Sequence, residues 1–291
     1  MIIVTGATGK LGSRIVDCLL ERVPAGQLGV SVRHAARASA LGERGVRVRT
    51  GDFTDPGSLA HAFEGADQVL VVSASIRGAD AVAANVAAID AARSAGAGRI
   101  LYTSHQAASR DSLFPPQLTH AATEEHLARL GVPFTALRNG FYTSTMGFYI
   151  WEALETGRLV APEDGPVSWT AHADLAEAAA VALVEEGALD GVTAPLAARE
   201  RLDLADVADV LSAITGRTIS RVVADDEEWR TAAVAKGMPP EAVEFSLGMF
   251  RAARRGEFAV DDATLEDLIG RPTTSARSLL ERMVGPSESA A

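Results

Sequence analysis

Along the first half of the chain, two hydrophobic rhythms take turns. Short apolar runs at Met1–Thr5, Leu28–Arg33, Val46–Thr50, Gln68–Ser73, Arg99–Thr103 and Phe134–Leu137 predict strands. Between them, helical spacing predicts Leu11–Arg22, Ser58–Glu64, Ala79–Ala95 and His120–Leu130. Strands that recur after helices make βαβ units and a parallel sheet. Several of the runs lack strict alternation, as strands covered on both faces do. The expected class is α/β, a doubly wound parallel sheet.

After Asn139 the rhythm changes. A longer stretch containing glycine and aromatic residues, 140–169, precedes a predicted helix at Ala171–Glu186 and a short strand at Val192–Ala197. Leu204–Thr215 and Asp225–Lys236 read as helices. "VAKGMPPEAVEFSLGMF" breaks at Pro-Pro and continues as an amphipathic stretch suited to a substrate-side lid. The tail "GPSESAA", 285–291, has the composition of a disordered end. There is no internal repeat.

Composition narrows the function classes. Apolar residues make up 47% of the 291 and charged residues 22%, which permits a sizeable core. The formal charge of −11 repels phosphate backbones and anionic lipid, so a nucleic-acid partner is not expected. The most apolar run, "AEAAAVALVEE", is too short to span a bilayer. Cys18, the one cysteine, shares a helical stripe with Ile15 and Leu19 and reads as a buried structural thiol. A single cysteine and a start with no charged leader point to a soluble, cytoplasmic protein. A homodimer is compatible with all of this.

"VTGATGKLG" lies between the first strand and the first helix. Gly6, Gly9 and Gly12 allow a tight turn, close approach to a pyrophosphate, and packing of helix on strand. Backbone amides at the helix start then face negative phosphates. Position makes this spaced triplet a dinucleotide site of the Rossmann kind. Its expected contacts are Gly6, Thr8, Gly9, Lys10, Leu11 and Gly12. Residues 1–142 form the expected cofactor domain, with 171–198 returning to it. Residues 143–170 and 199–291 form a smaller C-terminal α/β region on the substrate side.

An NAD site ordinarily has a carboxylate at the end of the second strand. Here the sequence is "SVRHAAR". Arg33 suits a 2′-phosphate by charge and planar geometry, while Arg37 reads as a loop arginine. NADP(H) is therefore expected in preference to NAD(H). Asp52 and Phe53 of "GDFTD" fall where an adenine would lie, and Asp55 reads equally as a helix cap. At the strand ends, Ser73, Ala74, Ser75, Thr103 and Asn139 are expected to face the cofactor.

"TGATGKLG", "SVRHAARASAL", "GDFTDPGSL", "ILYTS", "HAATEEHL", "GVPFTALRNGFYT" and "IGRPTT" occur in the order found in NmrA-like atypical short-chain dehydrogenases. The chain resembles in particular the type 2 NAD(P)H:quinone oxidoreductases, over residues 1 to about 283. The resemblance implies direct hydride transfer from NADPH to a quinone or related conjugated carbonyl (an enone, for instance), with no flavin and no metal. NmrA-like proteins also include non-catalytic NADP(H) sensors, which is the alternative. In that group's quinone reductases Ser/Thr-Glu-Asn follows the tyrosine of "RNGFY"; here it is Thr143, Ser144 and Thr145.

The Tyr-x-x-x-Lys pair usual in short-chain dehydrogenases is missing. Tyr102, Tyr142 and Tyr149 are followed four residues on by Gln106, Met146 and Ala153, and the only lysines are Lys10 and Lys236. "HAATE" stands in that place. Its stripe His120, Thr123, Glu124, Leu127 and Leu130 should point inward, with Glu125 and Arg129 outward. His120 and Glu124 either act on a ligand or bond one another and a nearby loop. Ser104 or His120 is a candidate donor to a substrate carbonyl oxygen. Ser104, His120, Glu124 and Tyr142 are the candidate catalytic residues.

Overall fold

In the computed structural model, which describes residues 1–76 and 79–285, the six predicted strands all form. They are β1 (Ile2–Thr5), β2 (Leu28–Val32), β3 (Arg47–Thr50), β4 (Gln68–Val71), β5 (Arg99–His105) and β6 (Phe134–Asn139). Later strands are β7 (Phe141–Tyr142), β8 (Arg158–Pro162), β9 (Trp169–Thr170), β10 (Gly191–Val192) and β11 (Ser220–Ala224). The helices of the first half are α1 (Lys10–Leu20), α2 (Ser39–Glu43), α3 (Pro56–Phe63), α4 (Ala79–Ser94) and α5 (Pro115–Arg129). Then come α6 (Gly147–Thr156), α7 (His172–Val184), α8 (Leu204–Thr215), α9 (Asp226–Ala235), α10 (Pro240–Arg254), α11 (Thr264–Ile269) and α12 (Ala276–Val284).

The seven-stranded sheet runs β10-β6-β5-β4-β1-β2-β3, and every pairing in it is parallel. Strand residues alternate between two cores, as a period of two requires. Val4, Leu70, Leu101 and Leu137 pack with α1 and α7. Ile3, Val69, Ile100 and Tyr102 pack with α3, α4 and α5 on the other face. The chain is thus wound on both sides, and strand order reverses between β1 and β4. A crevice opens there, outside the strands' carboxyl ends.

Helix α1 forms because Leu11, Ile15, Val16 and Leu19 recur on one face, and all four are buried. Burying each such aliphatic side chain is worth roughly 1.5–3 kcal/mol. Cys18 sits at the margin of this core, where burial raises its thiol pKa. That fits a structural thiol.

Several boundaries differ from the sequence pattern. Helix α5 starts at Pro115, well before His120, because Pro115 occupies the first helical turn, where its missing N–H costs nothing. The expected strand Val192–Ala197 pairs only at Gly191–Val192, with a further bridge from Leu196 to Asn139. Helix α6, within the stretch left irregular above, is closed by Gly157 in the left-handed conformation. The segment expected as a lid forms α10, which buries Met249 and Phe250 in a third core and Val243 and Leu247 in a smaller cluster with Ala233. Most of the expected disordered tail, 286–291, lies outside the described residues.

The third core joins α6, α8, α10 and α12 to a small parallel sheet of β8 and β11. Its border with the main sheet is aromatic, with Phe141 5.0 Å from Phe258 and 5.4 Å from His105 between ring centroids. The "IGRPTT" segment is anchored to α7. Fully buried Asp174 accepts from Arg271 at 2.8 Å, and from the Thr274 amide at 2.7 Å and hydroxyl at 3.0 Å. Among the described residues no helix is long and apolar enough to cross a membrane.

Candidate active site

A cleft of about 640 Å³ lies over the carboxyl ends of β1, β2 and β4. Its floor is the glycine turn. Gly6 has a φ of +62°, Gly9 donates to its carbonyl at 2.9 Å, and α1 begins at Lys10. Gly9 places no side chain over the helix start, so the first-turn amides stay open to an anion. At Gly12 a Cβ would stand 2.3 Å from the Gly6 carbonyl oxygen. Gly12→Ala should therefore cost ~1–3 kcal/mol in urea unfolding and weaken NADPH at least ~10-fold by calorimetry, because backbone must shift.

One end of the cleft is cationic. Arg33, His34 and Arg37 line it together with Asp52, Phe53 and Thr54. Arg37 is exposed, as its reading as a surface arginine expects, and it also lines the cleft. Neither guanidinium donates a hydrogen bond within the described chain. Asp52 Oδ1 accepts from the Thr54 amide at 2.9 Å and the Thr54 hydroxyl at 2.8 Å. Those bonds, aided by the charges of Arg33 and His34, hold its carboxyl below the ordinary range. Asp55 caps α3, accepting from Gly57.

The segment leaving β4 forms the adjoining wall, and three successive amides of it are held by side chains. Val72 donates to Thr5 Oγ1, Ser73 to Thr103 Oγ1 and Ala74 to Asn85 Oδ1, at 2.8, 2.8 and 2.9 Å. Ser73, Ala74 and Ser75 line the cleft as expected. Thr103 does not. It is 1% exposed and fixes Ser73 instead of touching the cleft.

Tyr142 and His172 close the other side, their ring centroids 4.3 Å apart and the rings tilted by 35°. Asn139 is buried and does not line the cleft, although it sits directly beside His105 in the β5–β6 register. Its amide makes no hydrogen bond of ordinary geometry. Burial raises the Tyr142 phenol, and the nearby Asn139 amide offsets part of that.

His120 and Glu124 do not bond one another. Glu124, 5% exposed, accepts from Ser104 at 2.6 Å and from Arg138 at 3.0 and 2.7 Å. Ser104 has spent its one proton on Glu124, which corrects its reading as a donor to substrate, and Glu124 is the acceptor of a fork from Arg138. Thr123, Leu127 and Leu130 are buried as the stripe predicts, and Glu125 lies outward, paired with Arg110. His120 Nδ1 instead meets the Tyr102 hydroxyl at 2.8 Å.

This arrangement can now be set beside known proteins. The model of the NmrA-like family matches residues 1–267. The chain belongs to the NmrA-like family. It is 34% identical to quinone oxidoreductase 2 of Escherichia coli (strain K12) over 277 residues, covering 94% of this chain and 96% of that one. The crystal structure of the Escherichia coli NADPH-dependent quinone oxidoreductase complexed with NADPH superposes with a TM-score of 0.92. It shares 31% identity and covers 98% of this chain and 100% of its own. Triphenylmethane reductase of Citrobacter sp. complexed with NADP(H) gives a TM-score of 0.90 at 32% identity, covering 97% and 99%.

In this NmrA-like chain, sequence reasoning missed His172 and Asn85. His172 opens α7 far along the chain, and no motif brings it near Lys10. Asn85 stands in an alanine-rich helix with no signal of its own. Burial lowers His120 to a pKa of about 4 and, with the charges of Lys10 and Arg14, lowers His172 to about 4. Between pH 6.5 and 4 the unfolded chain therefore binds protons that the native state refuses. Stability should be highest above pH 6.5 and fall as pH drops toward 4, with a slope approaching ~1.4 kcal/mol per pH unit for each histidine. Urea midpoints measured across that range check this, and His120→Asn should flatten the slope.

Proposed function

We propose that this NmrA-like protein is an NADPH-dependent oxidoreductase that reduces quinones or related conjugated carbonyls. The observation that carries the reading is the pair Arg33 and Arg37. Both line the dinucleotide cleft, neither guanidinium donates a hydrogen bond among the described residues, and no carboxylate takes the usual ribose position at the end of β2. Guanidinium groups in that setting are suited to a 2′-phosphate.

The first-turn amides of α1 would hold the pyrophosphate, Asp52 and Phe53 would border the adenine, and Ser73, Ala74 and Tyr142 would border the remainder. When bound, the nicotinamide supplies a hydride directly, without a flavin. An electrophilic quinone requires alignment and hydrogen-bond donors more than a strong acid. That suits a chain lacking the Tyr-x-x-x-Lys pair. His120, neutral at pH 7 because it is buried, is the donor we assign to the acceptor oxygen. Cys18, partly buried and alone, is in keeping with a reducing, cytoplasmic setting.

The test is consumption of NADPH, followed at its near-ultraviolet absorbance, across a panel of quinones and enones. NADH serves as the second donor and calorimetry runs beside the assay. Turnover of quinones with NADPH preferred is expected. Tight NADPH binding without turnover of any acceptor would overturn the reading and favour a redox sensor.

A further inference from the structure

Resting on that reading, we infer that Asn85 and Tyr102 are positioning residues that fix the tautomer of His120, holding its proton on Nε2 and so directing that N–H to the acceptor oxygen. The polarity of the whole chain of bonds follows from one backbone group. The Ala74 amide can only donate, and Asn85 Oδ1 accepts from it at 2.9 Å. This sets the orientation of the Asn85 side chain, so its Nδ2 faces the Tyr102 hydroxyl at 3.1 Å. An amide nitrogen can only donate. The phenol oxygen therefore accepts from Asn85, and its single proton goes to His120 Nδ1 at 2.8 Å. A neutral imidazole that accepts at Nδ1 carries its hydrogen on Nε2.

The surroundings agree. Asn85 is 1% exposed and Tyr102 0%, so water does not compete for these bonds. Burial keeps the Tyr102 phenol protonated far above neutral pH. The Thr123 hydroxyl, also near Tyr102, donates to the Thr119 carbonyl at 2.9 Å. Glu124, one turn further along α5, is occupied by Ser104 and Arg138. Tyr142 is a further titratable neighbour of Tyr102, its phenol kept protonated by burial, and His105 lies beside His120 with ring centroids 6.1 Å apart. His105 Nδ1 receives Gln117 Nε2 at 2.5 Å and the Ala107 amide at 3.5 Å, so it too is an acceptor at Nδ1. Two adjacent imidazoles, both kept neutral by burial, thus carry their hydrogens on Nε2. Neutral N–H donors of this kind suit a neutral acceptor, a quinone oxygen for example, better than a carboxylate.

Because Ala74 itself lines the dinucleotide cleft, the same bonds tie the cleft wall to His120. Only the tertiary fold creates that link. Tyr102 points to the α4–α5 face of the sheet, where Asn85 and His120 reach it from separate helices.

The experiment is long-range ¹H–¹⁵N NMR of histidine-labelled full-length protein with NADPH at pH 7.5, in the unmodified chain and in Tyr102→Phe. In the unmodified chain, His120 should show a protonated Nε2 and an accepting Nδ1. In Tyr102→Phe that tautomer should lose its dominance. The kcat with a quinone should then fall ~10-fold, as loss of one directed hydrogen bond implies, while the Kd for NADPH stays within about twofold. A proton on Nδ1 in the unmodified chain overturns the inference, and that spectrum suffices if the variant does not fold. An unchanged tautomer or unchanged kcat in Tyr102→Phe also overturns it. Failure of the unmodified protein to reduce any quinone counts against the activity proposed above, whereas the histidine spectrum is read without turnover and judges the tautomer separately.

Discussion

Replacing both Arg33 and Arg37 with aspartate should raise the Kd for NADPH by ~100-fold or more, while NADH binding changes by less than about threefold. Each charge-assisted bond from a guanidinium to a phosphate contributes roughly 1.5–3 kcal/mol, and two acting together exceed 3 kcal/mol. The substitution also sets carboxylates against a dianion. Among the described residues neither guanidinium supports the fold through hydrogen bonds, and both are exposed on the cleft rim, so stability should hardly change. NADH has only a ribose hydroxyl at that place, to which an aspartate can offer an acceptor. Isothermal calorimetry with both nucleotides measures the two effects in one series. Equal losses for NADPH and NADH would place the 2′-phosphate elsewhere in the cleft.

The second large effect concerns stability. Arg138→Ala should cost ~3–5 kcal/mol in urea unfolding, because it strands a buried carboxylate. The Glu124 side chain is 7% exposed, and two of its three hydrogen bonds come from Arg138. Arg138 also reaches the Ala108 carbonyl at 3.2 Å, so the loop after β5 loosens with it. Adding Glu124→Gln removes the stranded charge and should recover at least ~1 kcal/mol of the loss. A double variant no more stable than Arg138→Ala would mean that the charge on Glu124 is not what the arginine compensates. The pair ties the carboxyl end of β6 to the inward face of α5, so Glu124 of the "HAATE" motif serves to brace the strands beneath it.

Much of the cofactor half was legible in the sequence. The glycine spacing, the arginine at the end of β2 and the residues after β4 all follow a strand-to-helix order that local chemistry enforces. A glycine at position 12 is required because a Cβ would collide with the Gly6 carbonyl, and such a collision depends on residues six apart. The strand runs were legible for a similar reason. In the central strands alternate residues serve two cores, so most positions are apolar, and the pattern survives small errors at the ends.

The roles of single polar residues were not legible to the same degree. His120 and Glu124 share a helical face and looked like partners, yet His120 bonds Tyr102 of β5 while Glu124 bonds Ser104 of β5 and Arg138 of β6. Ser104, read as a donor to substrate, spends its proton on Glu124. Thr103 reads as a cleft residue and proves to be a buried clamp on Ser73. Arg37, read as surface, lines the cleft, and His172 arrives there from more than a hundred residues away.

From its own pattern, then, the chain determined the parallel sheet, the dinucleotide turn and the cationic end of the cleft, because each is built from neighbours in sequence whose geometry the backbone imposes. Tertiary structure alone decided which hydroxyls, amides and imidazoles still have a proton or lone pair to offer. A buried polar atom must be satisfied by whatever packing brings within about 3 Å, and those partners come from other strands and helices.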